Sequence, residues 1–122
     1  MRTELNRVVL AGYVAGKPEI RYTKEGKQIG TMTVATHRKE LTDWHRVVGY
    51  NEDLVTRMEQ EVDKGSYVYV EGRLQTRKWT DKLEHVHYVT EVILEMLLVL
   101  KHEKHELPPI PSLEEFLEGE LF

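Results

Sequence analysis

The chain has 122 residues, a net charge of −4 and no cysteine. That length holds one hydrophobic core and a short appendage, and the missing thiols exclude disulfide staples and thiolate metal sites, leaving a reducing cytoplasm as the expected compartment. No apolar leader opens the sequence, and its longest apolar stretch, Ile93 to Leu100, falls well short of the roughly 20 residues a membrane span needs, so a soluble protein without a membrane partner is expected.

Taken in chain order, Asn6 to Tyr13 ("NRVVLAGY") is rich in branched residues and apolar on both alternating faces, as in a strand covered on one side by a core and on the other by something else. "EIRYTKEGKQIGTMTVATH" reads as a hairpin or bent strand that turns at Glu25 and Gly26. "DWHRVVGY", Asp43 to Tyr50, is a third strand. Asn51 then supplies an N-cap, Glu52 and Asp53 suit the positive end of a helix, and Leu54, Val55, Met58 and Val62 keep a helical period until Lys64 and Gly65 close it. After Gly65 the period is two. Tyr67, Tyr69, Glu71, Arg73, Gln75, Arg77 and Trp79 alternate with Val68, Val70, Gly72 and Leu74, which predicts a strand with one wet face. A turn at Asp81 and Lys82 leads to a last strand, in which Val86, Tyr88, Val92, Leu94 and Met96 alternate with His85, His87, Glu91 and Glu95.

Three strands, a helix and two strands make an all-β chain with one helix, the order of a five-stranded OB-fold (oligonucleotide/oligosaccharide-binding) barrel with its helix between the third and fourth strands. The barrel is expected over 1–101. At 102–122 the character changes to a stiff linker containing Pro108, Pro109 and Pro111 and an acidic C-terminal tail, "SLEEFLEGELF". Charge follows the same division. Lys101 to Phe122 carry two lysines against six glutamates, which accounts for the whole −4, while Asn51 to Asp63 hold five acids against one arginine and leave the strand-forming remainder at +4.

On the third strand Trp44, Arg46, Val48 and Tyr50 share a face; on the fourth, Trp79 lies in register with Arg73 and Arg77. Aromatic faces among cations stack bases and neutralise phosphates, whatever the base sequence. The competing reading makes both tryptophans ordinary packing residues. With those residues in place, "NRVVLAGYVAGKPEIRYT", "DWHRVV", "KGSYVYVEGRLQTRKWTD" and "TEV" closely resemble, in order and over Leu5 to about Leu100, the bacterial single-stranded DNA-binding proteins.

The resemblance implies a barrel that assembles into a homo-oligomer, usually a tetramer, binds and protects single-stranded DNA during replication, recombination and repair, and works in the bacterial cytoplasm at the nucleoid without a cofactor. It implies stacking platforms at Trp44, Tyr50 and Trp79, with Arg21, Arg46, Lys64, Arg77 and Lys78 beside the DNA backbone and Arg73 compensating for Gln75, which replaces a basic residue common in the family. His45 falls at a subunit-interface position. The acidic tip, Glu118, Glu120, Leu121 and Phe122, would dock replication and repair proteins, although Ser112 and Glu115 could also cap a helix packed through Leu113, Phe116 and Leu117. The chain departs from the family in its short "HRKELTD" connection, where Glu40 replaces a further tryptophan, and in Leu83 and Val86, which replace small residues in the last loop.

An enzyme is not expected, because no phosphate loop, nucleophile signature or acidic pair with a plausible cleft is present. His85 and His87 share a strand face, with His102 and His105 beyond, but histidines without a carboxylate or cysteine pattern are more often surface residues than metal ligands. The alternative function is a protein-binding adaptor on the same barrel with a reduced DNA face.

Overall fold

The computed structural model describes residues 2–101. The division into barrel and tail, and every expectation for Glu118, Glu120, Leu121 and Phe122, falls partly or wholly on residues outside that range. The elements are β1 (Val8–Val14), β2 (Glu19–Tyr22), β3 (Gln28–Arg38), β4 (Leu41–Gly49), α1 (Glu52–Glu61), β5 (Tyr67–Thr80) and β6 (Val86–Lys101). They form one sheet of order β1-β5-β6-β4-β3-β2, and a further antiparallel pairing of β1 with β3, Tyr13 to Ala35 and Val14 to Val34, closes five of the strands into a barrel. The hairpin reading of the second segment holds: β2 pairs with β3 alone, around a turn in which Gly26 takes φ +84°. Among the described residues only β4 and β6 run parallel, Val47 beside Val92 and Val48 beside Ile93.

Alternation supplies the core. Val14, Met32, Val34, Val47, Val68, Val70, Val92, Leu94 and Leu97 fill the barrel, and Met58 joins them from α1. That helix starts where Asn51 accepts hydrogen bonds from the N–H groups of Asp53 (2.9 Å) and Leu54 (3.2 Å), and its buried Val55 and Met58 close one end of the barrel. Gly65 (φ +88°) then turns the chain into β5.

One of the expectations needs correction. The alternation on β6 does not run through to Met96, because a register shift opposite Glu71 and Gly72 leaves Glu95 unpaired; beyond it Leu97 and Val99 point inward while Met96 and Leu98, each 41% exposed, point out. Gly72 makes room for this, since a Cβ there would lie 2.0 Å from the Ile93 carbonyl oxygen. The inner residues of β1 are buried or partly buried, while Val9 is 49% exposed and Ala11 is exposed, so none of the described residues covers its outer face. Among the described residues no helix is long and apolar enough to cross a membrane.

Candidate nucleic-acid interface

Sheet order places β6 between β5 and β4, so the outward residues of three strands share one curved face. From β4 come Trp44, Arg46 and, just past the strand end, Tyr50; from β5 come Arg73, Gln75, Arg77 and Trp79; from β6 come His87 and Glu91, which pair in register with Trp79 and Gln75. Trp79 and Tyr50 are 43% and 49% exposed. Trp44 differs. It is only half-buried as a residue, yet its indole N–H is covered and has no hydrogen-bond partner among the described residues, so of the two tryptophans one ring is open and the other partly packed.

Trp79 is held by its neighbour across the hairpin. The rings of Trp79 and His87 stack with centroids 4.4 Å apart and 18° between planes, which covers one face of the indole while the residue stays 43% exposed. The imidazole is fixed in turn by Asp81, whose carboxylate can only accept, so Nε2 of His87 donates at 2.8 Å. Asp81 also accepts the N–H groups of Leu83 and His85, both at 2.9 Å, and so organises the tip of the β5–β6 hairpin. The hydrogen bond from His87, with those from the two backbone N–H groups, holds the Asp81 carboxyl below its ordinary value of 3.8.

At the centre of the face lies Glu91, 3% exposed. Its Oε1 accepts from Nε of Arg77 at 2.8 Å and its Oε2 from Nε of Arg46, so one carboxylate on the middle strand joins cations from both flanking strands. Burial pushes the Glu91 carboxyl up, but the hydrogen bonds and charges of Arg77 and Arg46 outweigh it and hold the group below its ordinary 4.5. Arg77 is held more firmly protonated by the hydrogen bond and the charge of Glu91.

Arg73 donates to Gln75 at 2.9 Å. Lys78 lies on the opposite face of β5 from Trp79, in register with Tyr88, which is 71% exposed. Arg21 lies on β2, at the far end of the sheet order, beside Glu19 at 3.3 Å, and Lys64 is exposed in the turn before β5. The structure therefore gathers Trp44, Tyr50, Trp79, Arg46, Arg73 and Arg77 and leaves Arg21, Lys64 and Lys78 apart. His45 is half-buried, its Nε2 2.8 Å from the Thr36 hydroxyl. His85 and His87 both face Asp81, at 3.6 and 2.8 Å, but among the described residues no group of three or more His, Cys, Asp or Glu is placed to hold a metal. The sequence pattern does not mark Glu91, His87 or Asp81 as parts of a nucleic-acid face; Glu91 stands out only as the middle residue of the "TEV" motif.

A family model for the single-strand binding protein family matches residues 5–100. A single-stranded DNA-binding protein of Rickettsia prowazekii is 45% identical over 84% of this chain and 77% of its own length, and one of Rickettsia felis is 48% identical over 78% and 69%. Among solved structures, a Plasmodium falciparum SSB in complex with single-stranded DNA superposes with a TM-score of 0.74 at 31% identity, covering 83% of this chain and 99% of that one. On this evidence the chain belongs to the single-strand binding protein family.

Proposed function

We propose that this chain binds single-stranded DNA without strong sequence preference and protects it during replication, recombination and repair in the bacterial cytoplasm, at the nucleoid. The observation that carries this reading is the open face of Trp79 beside Arg77 and Arg46, on the same surface as Trp44 and Tyr50. Such a surface offers stacking to any base and cations to the backbone, with no rigid donor and acceptor array for reading one base against another. Arg46, Arg73, Arg77, Trp44, Tyr50 and Trp79 form the contact surface; Arg21, Lys64 and Lys78 serve DNA that wraps further round the barrel. Titration with a single-stranded oligonucleotide should quench tryptophan emission, and equal affinity for duplex would remove the reading.

The protein acts as a homo-oligomer, a tetramer by family resemblance. In support, Val9, Met96, Leu98 and Leu100 are 41–52% exposed on or beside the outer face of β1, β5 and β6, an apolar surface that a second copy would cover. His45 contributes to the assembly. Partner proteins of replication and repair dock on Glu118, Glu120, Leu121 and Phe122 through the terminal aromatic and its carboxylate.

A further inference from the structure

Glu91 is hard to reconcile with a face that has only to attract phosphates. It removes one unit of positive charge from the surface, and burying a carboxylate is tolerated only when it is paired and hydrogen-bonded. Its pairing has a specific form. Arg46 and Arg77 each engage it through Nε, both side chains remain about half exposed, at 45% and 43%, and among the described residues no hydrogen bond occupies their Nη atoms. A guanidinium carries five donors in a rigid fork, so an inward Nε and an outward Nη edge are used at once.

We infer that Glu91 is a positioning residue for DNA: a single buried carboxylate on β6 clamps Arg46 of β4 and Arg77 of β5, fixing the spacing and direction of two phosphate-binding forks between the platforms of Trp44, Tyr50 and Trp79. The inference rests on the single-stranded DNA reading above. It requires the loss of order on removing Glu91 to outweigh the unit of positive charge gained. Immobilising one long side chain on binding lowers affinity about two- to tenfold, so freeing two of them lowers it by roughly five- to a hundredfold. One extra phosphate neutralised on single-stranded DNA raises affinity only about threefold near 0.2 M salt, from a slope of about 0.7 per contact. Positioning wins at moderate salt, and because firm phosphate contacts are lost the variant's deficit widens as salt falls.

The test is Glu91→Gln in the full chain, titrated with an oligo(dT) of about 40 nucleotides, long enough for several barrels at roughly 4–16 nucleotides each. Near 0.2 M salt the variant should bind about tenfold more weakly, with a plot of log affinity against log salt shallower by about 0.7 to 1.4 because firm phosphate contacts are lost. A merely structural role would lower the unfolding temperature and leave that slope unmoved; a charge-damping role would tighten binding and steepen it. Either result overturns the inference. Arg77→Lys is the companion variant, and it decides the matter should Glu91→Gln fail to fold. Lysine keeps the charge, but its single ammonium meets either Glu91 or a phosphate, so binding should weaken about fivefold, and combining it with Glu91→Gln should add little further loss. An Arg77→Lys variant that binds as the parent does also overturns the inference. If the parent protein fails to bind oligo(dT), the single-stranded DNA reading itself falls and takes Glu91 with it; if the parent binds and only the variants are unaffected, the reading stands and the clamp does not.

Discussion

Replacing Trp79 with alanine separates stacking from folding. The ring is 43% exposed, and its clearest partner is the His87 imidazole at 4.4 Å. Losing a stacked base should cost about 1–3 kcal/mol of binding, which is roughly a 5- to 150-fold loss of affinity. The loss to the fold should be smaller, about 1 kcal/mol for an aromatic pair, or a fall in Tm of about 5 °C. Trp44→Ala provides the contrast, because its N–H is covered and the ring is partly packed; stability should drop by about 2–4 kcal/mol together with binding. The chain has two tryptophans, so in each single variant the remaining indole reports DNA binding by its own quenching. Thermal unfolding and fluorescence titration of both variants decide the matter. A Trp79→Ala protein that binds as tightly as the parent, or that loses its cooperative transition, refutes the assignment of an open platform.

Four other outcomes follow from the same geometry. Glu91 is held below its ordinary 4.5, so its contribution to stability is present above about pH 4.5 and is lost as pH falls through the depressed value; urea unfolding should weaken over that acid range, and Glu91→Gln should flatten the decline. Gly72→Ala drives a Cβ to 2.0 Å from the Ile93 carbonyl and should cost about 3 kcal/mol or prevent folding, as circular dichroism during urea unfolding will show. Leu98→Glu places a charge on the exposed apolar face of β6 and should shift sedimentation towards smaller species without loss of the protomer fold. Removing Leu107 to Phe122 takes away acidic charge; DNA affinity should be unchanged or raised, most at low salt, while capture of replication and repair partners is lost.

Much of this was legible along the chain wherever one periodicity ran unbroken. The alternation from Tyr67 gave β5, although burial follows it only as far as Gly72 and Leu74, expected inside, is 47% exposed; Asn51 with the two acids after it gave the start of α1, where both cap hydrogen bonds form. Reading failed where one residue resets a pattern or where distant strands meet. The shift at Gly72 exchanges Met96 for Leu97 in the core, and a lone glycine in a strand does not announce on which partner the extra residue falls. Trp44 has the alternation of an outward residue, but alternation says nothing of how far barrel curvature covers an outward ring. Glu91 was the least accessible, since its partners stand 45 and 14 residues away in sequence and meet it only because β6 lies between β4 and β5.

The account is tested most directly by equilibrium titration of the intact protein with oligo(dT) and with a duplex of the same length, following tryptophan emission over a range of salt. Stacking on Trp79 and Trp44 predicts quenching by the single strand, an affinity well above that for duplex, and a linear fall of log affinity with log salt. Unchanged emission on adding oligo(dT), or duplex bound as tightly as single strand, would contradict it.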